Sequence, residues 1–220
     1  SRAVLLDRAT MKTWTLDAKQ NGALSNAAFS PDGRRLAVTN QAQPGVRVWD
    51  LGAGNAGNSV VLGEHAPLGA VPIFLDQGRR LLVAFETTQT IEEWDLEQNV
   101  LVRRLVGNKD DVIQLAASAD GRVLLSGDNS GQVRTWQLAS GTSRVLGELR
   151  GSVMAANLSP DATWAAAAST DGVIVLWHLP TGDRLELRGH GDIVEQLQFS
   201  SDGRRLLSRG TDRSARIWDL

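Results

Sequence analysis

Tryptophan returns along this chain at a nearly fixed interval. Trp14, Trp49, Trp94, Trp136, Trp177 and Trp218 are separated by 35, 45, 42, 41 and 41 residues. Each is followed two positions later by leucine: Leu16, Leu51, Leu96, Leu138, Leu179 and Leu220. Such a beat means one structural unit copied along the chain. A copy of this size cannot bury its hydrophobic face alone, so it must stack on its neighbours. Six stacked copies are expected to behave as one body.

A second marker runs in phase with the first. Ser30-Pro31-Asp32-Gly33-Arg34-Arg35-Leu36 returns as Asp76-Gln77-Gly78-Arg79-Arg80-Leu81, then as Ser118-Ala119-Asp120-Gly121-Arg122-Val123-Leu124. Ser159-Pro160-Asp161-Ala162 and Ser201-Asp202-Gly203-Arg204-Arg205-Leu206 complete the series. Pro-Asp-Gly and Asp-Gly supply the fixed φ and the positive φ that a tight turn requires. Apolar runs flank each turn, as in Leu197 to Phe199 and Leu206 to Leu207, so each marker reads as a β-hairpin. A third strand ends on the tryptophan with polar–apolar alternation, as in Val46-Arg47-Val48-Trp49. A weaker fourth follows at Val60 to Leu62, Val100 to Leu105, Arg144 to Leu149 and Arg184 to Leu187. No segment carries a sustained 3.6-residue apolar period, so almost no helix is expected. Four short strands in a period of roughly 40–45 residues describe a propeller blade.

These residues resemble the WD-repeat family of β-propellers. Trp-Asp-Leu stands intact at Trp49-Asp50-Leu51, Trp94-Asp95-Leu96 and Trp218-Asp219-Leu220. The Gly-His marker of that family occurs at Gly189-His190, and loosely at Gly63-Glu64-His65. The resemblance covers essentially the whole chain and implies an all-β propeller of four-stranded antiparallel blades. The expected divisions are a partial first blade at 1–23, then blades at 24–66, 67–108, 109–150, 151–190 and 191–220. The last lacks its outer strand, so the ring is expected to be incomplete, six of about seven blades. Both ends look cut, which suggests a segment of a longer protein.

Composition narrows the functions available. The formal net charge is −2, so no global basic field recommends nucleic acid or an anionic membrane. There is no cysteine, which excludes disulfides and thiolate metal sites. No apolar run approaches the roughly 18 residues needed to span a bilayer. A cytoplasmic location, no cofactor and no metal are expected. His65 and His178 have no partner at metal-ligand spacing. Trp164 is off the beat and fills volume beside the small Ala165 to Ala168. Gly127-Asp128-Asn129-Ser130-Gly131 reads as a strand connection rather than a calcium loop.

His190, Ser208 and Asp212 are the parts of an acyl-transfer triad. The resemblance implies instead a structural tetrad with Trp218, a buried hydrogen-bond chain tying the strands of the blade together. No Gly-x-Ser-x-Gly elbow surrounds Ser208. No catalytic residue is therefore assigned. The other copies look to have lost this network. The position six before tryptophan is Gln43, Thr88 and Ser130, with only Asp171 keeping a carboxylate, and that faces Ala167.

Function is expected on the loops, because the strands are consumed by packing. In WD-repeat proteins the top face often receives proteins or peptides. By that resemblance the candidate contacts are Leu68, Asp111, Ile113, Asn129, Ser152, Met154, Thr170, Ile193, Glu195 and Thr211. The expected role is a non-catalytic interaction scaffold or sensor module in signalling. Its partner would be a protein or peptide, or other domains of the same chain. The competing readings are an enzyme with its site in the propeller channel and a purely structural spacer or oligomerisation domain.

Overall fold

The computed structural model describes residues 3–6, 11, 13–16, 24–40, 44–52, 59–63, 70–85 and 88–220. Leu68, Gln43, His65 and the Gly63-Glu64-His65 marker beyond Gly63 lie outside the described residues. Among those described there is no α-helix, only one turn of 3₁₀ helix at Asp76–Gly78. Strands β1 (Ala3–Leu6) and β2 (Thr13–Leu16) form an antiparallel pair. Four four-stranded sheets follow. They are β3 (Leu24–Phe29) to β6 (Ser59–Leu62), with β4 (Arg35–Asn40) and β5 (Val46–Asp50) between. Next come β7 (Ala70–Leu75), β8 (Arg80–Phe85), β9 (Thr90–Asp95) and β10 (Val100–Val106). The fourth blade holds β11 (Val112–Ala117), β12 (Val123–Asp128), β13 (Gln132–Gln137) and β14 (Thr142–Glu148). The fifth holds β15 (Val153–Leu158), β16 (Trp164–Ser169), β17 (Ile174–His178) and β18 (Arg184–Leu187). A three-stranded sheet closes the series with β19 (Val194–Phe199), β20 (Arg205–Gly210) and β21 (Ala215–Asp219). Every strand bonds to its sequence neighbour, which is the order short hairpin connections impose.

The chain divides into two compact units, Ser1–Glu86 with Glu92–Arg104 and Thr87–Ile91 with Leu105–Leu220. In the first, one face of the β3–β6 sheet (Ala37, Val46, Val48, Leu62) packs on Phe74, Leu81, Val83 and Phe85 of the next blade. In the second, β11, β15 and β19 lie beside one another in turn. The fifth blade is buried on both faces. Ala165, Ala167, Val175 and Trp177 meet Leu125 and Val133 of the fourth blade. Ala166, Ala168, Ile174 and Leu176 meet Val194, Leu197, Phe199 and Leu206 of the sixth. Successive strand side chains point to opposite faces. A strand covered on both sides therefore reads as an unbroken apolar run, and Ala165 to Ala168 is that run. Off-beat Trp164 is half-buried against the same cluster, its ring 4.7 Å from that of His178.

The in-phase turns are held by a repeated hydrogen-bond wheel. Ser30 Oγ donates to Asp32 at 2.5 Å and accepts the Arg35 N–H at 2.8 Å, while Asp32 accepts the Arg34 N–H at 3.0 Å. The same bonds recur around Ser118 and Asp120, Ser159 and Asp161, and Ser200 and Asp202. In the last turn the hydroxyl comes from Ser200, the neighbour of Ser201. The Asp76-Gln77-Gly78 copy departs from this. Leu75 takes the serine position, opposite Arg80, and the turn tightens into the 3₁₀ segment with Asp76 and Gln77 at positive φ.

Two consequences follow from the wheel. Gly33, Gly121 and Gly203 adopt φ of 70°, 66° and 70°, and Ala162 holds the same place at 55°. A Cβ is disfavoured there. Ala162→Gly is expected to raise stability by about 0.5–1 kcal/mol, read from the urea midpoint. The second concerns acid. The serine hydroxyl, then a backbone N–H, holds Asp32, Asp120 and Asp202 below the usual carboxylate range. Ser159 and Thr163 bring Asp161 down to about 2. These carboxylates stabilise the fold above their unfolded values near 3.9 and lose that contribution as pH falls through the folded ones. The thermal midpoint should be insensitive to these groups above about pH 5 and fall between about pH 4 and 2. Asp161→Asn should flatten the lower part of that fall.

Candidate interaction edge

The first strand of each blade in the second unit carries the same irregularity. Its register with the second strand slips between Val112 and Gln114, between Val153 and Ala155, and between Val194 and Gln196. Each slip is a bulge that leaves one residue unpaired: Ile113, Met154 and Glu195. Bulges re-aim a side chain and release it from the ladder, and they gather beside functional sites. Ile113 and Met154 are half-buried and Glu195 is exposed, with Arg209 3.0 Å from its carboxylate.

Loops join these bulges into one continuous edge. Asn129 donates its N–H to Asp111 O at 2.9 Å. Ser152 Oγ donates to Asn129 Oδ1 at 2.7 Å and lies 3.1 Å from Asn129 O. Gly151 fits against Thr170 so closely that a Cβ would stand 2.6 Å from its Oγ1, and one on Gly172 would stand 2.8 Å from Asp192 O. Thr211 donates its N–H to Ile193 O at 2.8 Å. Of the ten residues expected to make contacts, Asp111, Asn129 and Ser152 are thus joined by hydrogen bonds, Ile193 is joined to Thr211, Thr170 lies against Gly151, and Ile113, Met154 and Glu195 stand at the bulges. Asn129, Thr170, Thr211 and Glu195 are exposed on this edge, and Asp111, Ser152 and Ile193 half-buried.

His190, Ser208, Asp212 and Trp218 are brought together beneath this edge. Trp218 donates its indole N–H to Ser208 Oγ at 2.9 Å, and Ser208 Oγ is 2.8 Å from His190 Nε2. His190 Nδ1 is 2.9 Å from Asp212. A carboxylate only accepts, so the proton sits on Nδ1, and in the neutral ring the serine donates to Nε2. All donors then run one way, from indole to carboxylate. The N–H groups of Ser214 and Gly191, with the Ser214 hydroxyl and His190, hold the Asp212 carboxyl well below the usual range. Ser208 is 1% exposed, and its oxygen is occupied by the indole. It cannot attack a substrate. Among the described residues no three of His, Asp or Glu come together as a metal site.

A family model described as "WD domain, G-beta repeat" matches residues 99–137, 143–178 and 183–219, just over half of the chain. The chain belongs to the WD-repeat family. It is also 25% identical over 200 residues to Protein groucho of Drosophila melanogaster, a match covering 91% of this chain and 27% of that protein. The chain therefore spans about a quarter of the length of that curated relative.

The WD repeats treat their tryptophans differently, and the expectation that only the last keeps a polar network is corrected by the fourth. Trp136 donates to Ser126 Oγ at 2.9 Å, and Ser126 donates to Asn108 Oδ1 at 2.8 Å. Asp128 accepts from Lys109 N and Asp110 N on one oxygen and from Ser130 N and Gln132 N on the other. Asparagine thus stands for histidine, and the carboxylate comes from two residues earlier than in the sixth blade. A signal was present: Asn108 precedes Ser126 by 18 residues, the interval from His190 to Ser208. This also accounts for Asp128, whose oxygens are taken by its own blade. In the third blade Ala84 fills the serine position, and Trp94 donates instead to Glu92 at 3.0 Å, itself paired with Arg104 at 2.9 Å. In the fifth, Leu149 and Ala167 replace the histidine and serine, and the Trp177 indole N–H is buried without a partner. Asp171 turns away to accept from Ser169 and Val173 N. Trp49 is buried on Leu36 and Val38, and Trp14 is half-buried in β2.

Proposed function

We propose that this chain is a non-catalytic protein-interaction scaffold, and that its partner engages the edge formed by the bulges and loops of the fourth, fifth and sixth blades. WD repeats are interaction modules, and the WD-repeat assignment supports the coarse reading. One observation carries the finer one. An identical bulge in three adjoining blades presents a different side chain each time, Ile113, Met154 and Glu195. Repeated backbone with varied chemistry suits recognition of an irregular polypeptide surface. Two aliphatic side chains with Asp111 and Glu195 nearby fit a segment offering apolar and basic groups. The net charge of −2 supports a polypeptide partner over nucleic acid.

A photo-crosslinking residue placed at Met154, and separately at Thr163 by the turn at the far end of the same sheet, tests this. Partners should be trapped from position 154 and not from 163. The Asp111→Arg and Glu195→Arg double variant should abolish the trapping. Equal trapping at both positions, or no loss in the double variant, would remove the proposed surface.

A further inference from the structure

The fifth blade departs from its neighbours at several positions that face one cleft. In the second and fourth blades an arginine stands two residues before tryptophan and lies over its ring: Arg47 and Arg134, 5.9 and 5.6 Å from the ring centres. In the fifth that position is Val175, and the outer strand sets Glu186 opposite it and Arg184 opposite Trp177. Valine is too short to cover the ground that an arginine does. A cleft of about 220 Å³ lies beside it, between Glu148 to Arg150 at the end of the fourth blade and Asp171, Arg184, Glu186 and Arg188 of the fifth. Drug-sized ligands occupy roughly 300–1,000 Å³, so a cleft of this size takes something smaller.

The walls carry three arginines and three carboxylates, and most are already engaged. Glu148 pairs with Lys109 at 3.1 Å. Glu186 is shared between Arg184 and Arg188, at 2.8 and 2.5 Å. Two groups are left. Among the described residues Arg150 meets no hydrogen-bond or ionic partner for its side chain. Asp171 accepts from Ser169 Oγ and Val173 N–H on one oxygen and has nothing on the other. Its counterpart Asp212 holds His190, but Leu149 stands in the histidine position here and has no side-chain donor to offer. Arg150 and Asp171 do not pair with each other. The cleft thus presents one unspent cation and one unspent carboxylate oxygen, held apart.

We propose that this cleft binds a small zwitterion, an α-amino acid with a polar side chain. Its carboxylate takes the Arg150 guanidinium, and its ammonium takes the free oxygen of Asp171. Both are charge-assisted hydrogen bonds, the stronger kind. A simple anion would satisfy Arg150 and be repelled by Asp171, and a simple cation would meet the reverse. The Glu186 carboxylate and its two guanidiniums set the preference for a polar side chain.

The test titrates the 220-residue protein with L-glutamine and with two relatives: glutaramic acid, which lacks the ammonium, and γ-aminobutyramide, which lacks the carboxylate. Glutamine should bind saturably, with backbone amide shifts confined to residues 148–150, 169–175 and 184–188. Each relative should bind at least about tenfold more weakly, the weight of one hydrogen bond to a charged group. Arg150→Gln should bring glutamine and γ-aminobutyramide within about twofold of each other, and Asp171→Asn should do the same for glutamine and glutaramic acid. Both variants spare the fold, because the Arg150 side chain makes no bond and asparagine keeps the oxygen that Ser169 and Val173 use. Should either fail to fold, the three ligands on the unaltered protein still decide. No saturable binding of glutamine, equal affinity of either relative, shifts elsewhere, or unchanged discrimination in a folded variant would overturn the proposal.

Discussion

Gly127→Val is expected to destabilise the protein by about 3 kcal/mol or more, seen as a lower urea midpoint at unchanged slope. Gly127 lies within β12, where glycine is otherwise a poor strand residue. Its place follows from the approach of the next blade. A Cβ there would lie 2.4 Å from Val153 Cγ1 and 2.7 Å from Val153 Cβ. Val153 is fully buried at the start of β15, so neither side has room to yield. Gly127→Ala should already be costly. Combining it with Val153→Ala should cost less than the two single losses together, with a coupling of about 1 kcal/mol or more. Additive losses would mean that the fourth and fifth blades do not meet at this point.

Ser208→Ala is expected to cost about 2–3 kcal/mol in the same measurement, and Ser126→Ala about as much. Each removal leaves two buried or half-buried partners unsatisfied: the Trp218 indole N–H and His190 Nε2, or the Trp136 indole N–H and Asn108 Oδ1. The cost is that of desolvated groups left alone, larger than the net value of the bonds. The fifth blade gives the reverse case. Ala167→Ser with Leu149→His should offer the orphaned Trp177 N–H an acceptor and the new hydroxyl a partner, so the pair should be more stable than the sum of the single changes predicts. If Ser208→Ala and Ser126→Ala are neutral, the polar chains do not hold the blades.

The tryptophan period and the Asp-Gly turns were enough to place the hairpins, because each marker does one local job. Trp ends the third strand, and the turn supplies the positive φ between the first two. The fourth-blade network was hidden by a change of parts. Asn108 replaces histidine, and Asp128 acts from the end of β12, two residues further from its tryptophan than Asp212 is, so a search for the same residue at the same offset misses it. The exchange of Ser for Glu92 in the third blade was hidden for a related reason. Its acceptor comes from the same strand as Trp94, not from the neighbouring one. The bulges at Ile113, Met154 and Glu195 have no composition of their own. They arise from how two strands register, which no single strand records. The close approach at Gly127 is likewise a property of two sheets.

The most direct test of the account is indole N–H exchange in protein labelled with 15N-tryptophan, which should give seven indole signals. The Trp136 and Trp218 signals should lie downfield and exchange slowly, because both N–H groups are bonded to serine. The Trp177 signal should also exchange slowly but lie upfield, as a buried N–H with no acceptor. Ser208→Ala should move the Trp218 signal upfield and leave Trp136 in place. Fast exchange at all three, or one common shift unaltered by Ser208→Ala, would contradict a fold in which the fourth and sixth blades are tied through the indoles of Trp136 and Trp218 and the fifth buries its indole without a partner.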